Sequence, residues 1–483
     1  MTARWLLSCS FALISCGVLS CGDPRPIIEY AVCFGDGSKD VPVALAVDDA
    51  GHAFVVGNTY SANFPVTTGP TNTRSWSAFI TKLAPDASAM VYSRIIGGRG
   101  ATFAEAAVLQ DDGEIWVAGS TTALDFPVSP DAHQSEFRGG TPGGGGDGFL
   151  ALVSNDGREV RYATYLGGTG DEVITGLARD RRGHIWVVGW TTSHDFPITP
   201  DALQTKFAGS GSSGFVASFD ANGKLLYSTY LGSGESVAIR AMAVDSKGNL
   251  DIAGTTSSPF WPDTSPLGDS DGFVVKLDSS GRTILMSKRL GGKQSDQLVA
   301  IGLTEKGEVV AAGWTESEVI PGVKGHRNGW IVSLARDGSV RENFAIGGSG
   351  VDEIHGLAID QRGVVLLTGL TDSPDFPTTV DAFRHRYARH TEAFLATLSP
   401  GADRLLFSTF LGTDSATDYG VQRGYGVTVG SQGDAYFFGE TTGAGPAGGQ
   451  QFPTTPGTLR TPQSNGSTDP YVIKLRISRR KGK

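Results

Sequence analysis

Cysteine is scarce in this chain, and that scarcity removes a class of folds. Of the four cysteines, Cys9, Cys16 and Cys21 fall within the first 21 residues, which leaves Cys33 alone in the body. A single thiol in an apolar strand cannot found a disulfide framework and reads as a buried, inert side chain. Long hydrophobic runs are missing too. Beyond the leader no segment approaches the roughly 18 apolar residues that a membrane-spanning helix needs. Positive charge is also in short supply: the net charge is −10, and −11 once Arg4 in the leader is removed. An acidic chain without a basic stripe excludes nucleic acid as a natural partner. The closing basic run, from Lys474 to Lys483, reads as a solvated tail.

Catalytic signatures are equally thin. Gly-x-Ser-x-Gly, His-Glu-x-x-His and Cys-x-x-Cys do not occur, and the eight histidines lack metal-ligand spacing. Gly209-Ser-Gly-Ser-Ser-Gly214 fits the dinucleotide pattern by letter but leads into a strand, so it reads as a connection. No motif implies a cofactor.

Glycine is abundant, at 67 of 483 residues, about twice the usual share of ~7%. It marks a phrase that recurs seven times. A turn glycine stands at Gly51, Gly113, Gly183, Gly248, Gly307, Gly363 and Gly433. Six residues later comes a second one, at Gly57, Gly119, Gly189, Gly254, Gly313, Gly369 and Gly439, and two beyond that is always threonine. The copies are 62, 70, 65, 59, 56 and 70 residues apart, so the turn and second strand are fixed while other loops vary. In the third copy, Ile174–Ala178, Ile185–Thr192, Phe215–Phe219 and Lys224–Leu231 read as four strands. Seven such phrases, none able to bury itself alone, predict an all-β, seven-bladed β-propeller of four-stranded antiparallel blades. The last copy ends after its third strand, Tyr471–Leu475. Ile28–Gly35 resembles the missing fourth, so the N-terminal strand is expected to complete the C-terminal blade.

The first residues have the form of a secretory signal: Arg4, then an apolar stretch from Trp5 to Leu19. Val18-Leu-Ser-Cys21 and Leu13-Ile-Ser-Cys16 both resemble the lipobox of bacterial lipoproteins. Cys21 is preferred because polar chain begins after it. The expected organisation is a lipoprotein signal peptide over 1–20, a short lipid-proximal tether over 21–27, the propeller over 28–476 and a basic tail over 477–483. The tether is so short that the propeller would sit against the membrane.

The phrase as a whole resembles the SBBP family of bacterial β-propeller repeats. The residues that carry the resemblance are Val244-Asp-Ser-Lys-Gly-Asn-Leu-Asp-Ile-Ala-Gly-Thr-Thr-Ser257, Asp195-Phe-Pro-Ile-Thr-Pro-Asp-Ala-Leu-Gln204, Asp271-Gly-Phe-Val-Val-Lys-Leu277 and Tyr227-Ser-Thr-Tyr-Leu-Gly232. The resemblance implies an exported propeller and brings no catalytic residues. The fourth and fifth copies depart from it, with Pro259-Phe-Trp-Pro262 and Val319-Ile-Pro321 where others have Asp-Phe-Pro.

In a propeller the loops between second and third strands share a face with the connections between blades, and here both are long. That loop-rich face is the expected binding surface. Its recurring aromatic-Pro pairs, such as Phe64-Pro65 and Phe196-Pro197, read either as a ring of ligand contacts or as plugs for the blade edge. Sevenfold recurrence favours plugs. Residues that differ between blades are better ligand candidates, and Trp190 and Trp314 occupy a slot that other copies fill with Asn58, Ser120, Thr255, Leu370 and Glu440. Acidic residues stand near the first strands at Asp40, Glu105, Asp171, Glu235, Asp296, Asp352 and Asp418. Four of them, Asp40, Asp171, Asp296 and Asp352, are candidate ligands for calcium or another cation at one channel mouth. The competing reading is that each accepts nearby backbone N–H groups.

The function that follows is a monomeric, lipid-anchored binding or scaffold module at the bacterial cell envelope, expected at the outer membrane, recognising protein or polysaccharide. The alternative is a polysaccharide lyase or hydrolase acting near the channel mouth. A cluster of histidine, arginine and carboxylate there would favour it.

Overall fold

The computed structural model describes residues 26–36, 38–71, 75–139, 146–232, 235–258, 261, 268–388, 390–412, 421–442, 454–459 and 467–476. Within them every strand belongs to one of seven four-stranded antiparallel sheets. Blades 1 to 6 span 40–96, 102–166, 172–231, 237–290, 296–346 and 352–411. Blade 7 takes three strands from 422–476 and its outer strand, Ile27–Cys33, from the start of the chain. The register runs from Ile27 opposite Arg476 to Cys33 opposite Tyr471, which is the expected closure. Blade 3 is typical, with strands Glu172–Arg179, Ile185–Thr191, Ser213–Phe219 and Leu225–Leu231.

The two repeat glycines have different physical causes. All seven turn glycines have φ between +71° and +88°, and each donates its N–H three residues back, as Gly183 does to Asp180 at 3.0 Å. That conformation is cheap only for glycine. The second glycine answers to a β-bulge. In every blade the register slips at the fourth residue of the first strand, as between Ile174 and Gly176. The bulge pushes the carbonyl of the strand's second residue over the facing glycine. A Cβ on Gly189 would lie 2.0 Å from the Val173 oxygen, and the same holds from Gly57 to Gly439. No side chain fits there.

Apolar second strands are buried between blades, with Phe54, Trp116, Trp186, Leu366 and Tyr436 all enclosed. The aromatic-Pro residues are plugs. Phe64, Phe126, Phe196, Trp261 and Phe376 are buried, each with its ring centroid 4.5 to 5.0 Å from a third-strand phenylalanine. Phe452 lies outside the described residues. Cys33 is a free, buried thiol whose burial pushes its pKa up.

Candidate functional site

The first strands contact one another around the axis. Their third residues are buried, whereas the bulged fourth residues are all half-buried or exposed. The bulges therefore set a ring of seven side chains towards the channel: Val43, Glu105, Thr175, Arg240, Val299, His355 and Tyr425. Re-aiming a side chain is what a bulge does to a strand. Glu105 is surface-accessible yet enclosed by channel wall; that enclosure pushes its carboxyl up to about 7, against a smaller opposing pull from Arg240.

On the loop-rich face three slots meet at each blade junction: the residue after the repeat threonine, the residue before the third strand, and the second residue of the next blade's first strand. Between blades 1 and 2 these are Tyr60, Trp76 and Phe103. Their rings follow one another at 5.6 Å, with Tyr60 56% exposed. Between blades 5 and 6 the same slots hold Glu316, Arg327 and Glu353. Arg327 donates to Glu353 at 2.6 Å and to Glu316 at 2.7 Å, and its guanidinium lies 3.9 Å from the Trp314 ring centre. In a ring of seven these two junctions stand opposite each other. One side of the mouth is aromatic and the other ionic.

The ionic side continues into the channel and blade 7. His355 places Nε2 3.0 Å from Glu353 and Nδ1 3.1 Å from the Gly424 carbonyl, and its ring stacks on Tyr425. Both nitrogens face acceptors. His355 and then Arg327 hold the Glu353 carboxyl down at about 2, against its burial. Arg423 pairs with Glu440 at 2.7 Å. The cluster of histidine, arginine and carboxylate is thus present, on one side of the mouth.

Trp314 belongs to this cluster. Trp190 occupies the equivalent slot of blade 3, half-buried between Val173 and Gly214 in the register, and does not join it. Neither the aromatic trio nor His355 was singled out from the sequence. Tyr60, Phe103 and His355 stand at fixed offsets from the repeat glycines and could be compared copy by copy, whereas Trp76 follows a loop of variable length.

The candidate cation ligands have hydrogen-bond partners within the fold. Asp40, Asp296 and Asp352 each begin a first strand and are fully buried. Asp296 accepts from Ser317 at 2.8 Å, from the Gly292 N–H at 2.7 Å and from Thr315. Asp352 accepts from Ser373 and the Gly348 N–H, both at 2.8 Å. The glycine bonds latch each blade to the connection from the one before it, and the hydroxyl bonds tie its first strand to the end of its own second. In blade 3 the latch is Glu172, so Asp171 is one residue out of register: Glu172 takes the Thr191 hydroxyl and the Gly168 N–H. Asp171 stands half-buried and accepts the Gly146 N–H at 3.2 Å. Glu235 precedes its strand, and Asp418 lies outside the described residues. Among the described residues no three His, Cys, Asp or Glu side chains converge to hold a metal.

Some latches face a second buried acid. Burial, with a smaller contribution from Asp147, pushes Glu172 up to about 7, and burial pushes Asp147 up to about 6. Burial chiefly raises Asp40 to about 7, opposed by hydrogen bonds from Thr59 and Ser61. Folded pKa values above the unfolded ones mean that the native state binds the extra protons. This stability is complete below about pH 4 and is lost as pH rises through about 6 to 7. Thermal melting is expected to be higher at about pH 5 than at about pH 8. Glu172→Gln should flatten that difference by about 2 kcal/mol; an unchanged pH slope would contradict the raised pKa of this latch.

No curated protein matches the chain. Among solved structures, the WD40 domain of Neurospora crassa Pan2 is 8% identical, covering 93% of this chain and 97% of that one, with a TM-score of 0.48. The polysaccharide lyase Uly1 is 11% identical over 94% and 99%, with a TM-score of 0.46. A Dyadobacter fermentans protein of unknown function is 11% identical over 94% and 100%, at 0.44. These likenesses carry no argument about ligand or activity. Residues 161–197, from the outer strand of blade 2 through the Phe-Pro plug of blade 3, match the model of the β-propeller repeat SBBP, and the chain carries that repeat.

Proposed function

We propose that the protein is an exported binding module that recognises a polysaccharide at the mouth of its loop-rich face, held at the bacterial cell envelope by a lipid on Cys21. The observation that carries the reading is the division of the mouth. Tyr60, Trp76 and Phe103 offer ring faces to the C–H faces of sugars, and the opposed Arg327, Glu316 and Glu353 offer donors and acceptors to hydroxyls. Cys21 lies outside the described residues, and its part in the proposal rests on the lipobox pattern.

Binding of envelope polysaccharides by titration calorimetry tests the reading. Tyr60→Ala and Arg327→Gln are each expected to weaken binding about tenfold, ~1.4 kcal/mol, and Tyr60→Ala should leave the melting temperature nearly unchanged. Equal affinity in both variants would refute the assignment.

The enzyme reading has two observations in its favour, the first being the cluster of His355, Arg327 and Glu353 beside the channel. Glu105, at about 7, is poised for general acid–base work in the channel. Glu353, at about 2, is not. Cleavage of a bound polysaccharide that disappears in Glu105→Gln, with binding retained, would establish it.

A further inference from the structure

Strand direction fixes where the chain ends leave the propeller. Third strands begin at the loop-rich face and end at the tight-turn face, so Arg476 and its register partner Ile27 both lie at the tight-turn face. An ion network confirms the placement. Lys474 reaches Glu29 at 2.9 Å and Asp434, beside the blade 7 turn, at 3.2 Å. The residues before 26 and after 476 are therefore joined to the face opposite the mouth.

On that face the turns of blades 3 to 6 present exposed basic side chains. The turns of blades 3 to 6 are Asp180-Arg-Arg-Gly183, Asp245-Ser-Lys-Gly248, Thr304-Glu-Lys-Gly307 and Asp360-Gln-Arg-Gly363. Their aspartates bind their own turns and pair with Arg182, Lys276 and Arg362, not with Arg181, Lys247 or Lys306. Asp180 accepts the N–H groups of Arg182 and His184, Asp245 those of Lys247 and Asn249, and Asp360 those of Arg362 and Val364. Arg181, Lys247 and Lys306 are exposed, and no ion pair among the described residues takes up their side chains. A cavity of about 730 Å³ opens among these turns, with Arg181, Lys247 and Arg336 in its wall beside Glu305, while the Arg179 and Lys276 that also line it are ion-paired. Across the face, the acids of blades 1 and 2 are partly neutralised: Asp111 pairs with Arg179 at 2.8 Å, and Asp48 with Lys82 at 3.7 Å. A second cavity there, of about 530 Å³, remains acidic, with Asp112, Glu114, Asp156 and Glu159 in its wall.

We infer that the tight-turn face docks on an anionic phospholipid surface, basic edge down, and so holds the loop-rich mouth away from the membrane. The inference deepens the envelope-anchored reading and rests on it for its setting. A membrane is the occupant that the chain ends favour, because a lipid on Cys21 would sit only about six residues, roughly 20 Å, from Ile27. Each lysine or arginine held near an anionic surface strengthens partitioning about fivefold.

The test uses the mature chain carrying Cys21→Ser, so that no lipid contributes, with vesicles of phosphatidylglycerol and phosphatidylcholine against phosphatidylcholine alone. The expected result is salt-sensitive partitioning to the anionic vesicles, reduced about a hundredfold in Arg181→Gln/Lys247→Gln/Lys306→Gln and unchanged in Arg327→Gln. Equal partitioning to both vesicle types, or a triple variant that binds as well as its parent, overturns the inference. So does binding of an acidic peptide without vesicle binding. Loss of polysaccharide binding in Arg327→Gln is read separately, so the two proposals fail independently.

Discussion

Removal of residues 27–35 is expected to abolish cooperative unfolding. The strand they form is the outer edge of blade 7, and its far end is enclosed: Val32 and Phe34 are fully buried, and Cys33 and Tyr30 nearly so. Burying one large apolar side chain contributes about 1.5–3 kcal/mol. Losing four takes about 8 kcal/mol, comparable with the ~5–15 kcal/mol that holds a typical domain. The deletion would also bare the pairing edge of Thr468–Arg476, an invitation to aggregation. Ile28, 40% exposed at the start of the same strand, provides the control. Ile28→Ala should change stability by no more than about 0.5 kcal/mol. Circular dichroism melts of the two variants decide the matter. A sharp transition in the deleted chain would mean that the propeller closes without this strand.

Gly189→Ala is expected to cost far more than Gly183→Ala, although both glycines recur in every copy. An alanine Cβ at 189 would stand 2.0 Å from the Val173 oxygen and 2.8 Å from the Phe215 ring. The oxygen is held by the bulge, so relief requires giving up the bulge itself, at about 3 kcal/mol or more. At 183 the obstacle is only the φ of +83°, with nothing within 4 Å of the added methyl, and the cost is about 1 kcal/mol. Denaturant midpoints measure both. Equal losses would show that the second glycine is there for backbone freedom and not for the bulge.

The parts of this molecule legible in the sequence are those with a local cause. The turn glycine, the Phe-Pro plug and the Ile28–Gly35 strand each announce themselves within a few residues. The bulge does not, because a one-residue slip leaves no mark on composition. It hid the ring of Glu105, Arg240, His355 and Tyr425. The choice of Asp171 has another cause, since Glu172 stands eleven residues before its turn glycine just as Asp40, Asp296 and Asp352 do, and that offset was legible. The mouth was illegible for a second reason. Tyr60, Trp76 and Phe103 come from three segments, as do Glu316, Arg327 and Glu353, and the loops between them vary in length from blade to blade. Only the register across strands brings each set to one junction. Trp314 could be found by its slot, but its partner Arg327 could not.

Differential hydrogen exchange with and without a bound envelope polysaccharide tests the central claim most directly. The account predicts slowed exchange in two opposed places on the loop-rich face, around Tyr60 to Trp76 with Phe103 and around Trp314 to Arg327 with Glu353. Protection confined to the tight-turn face or to the outer strands would contradict it.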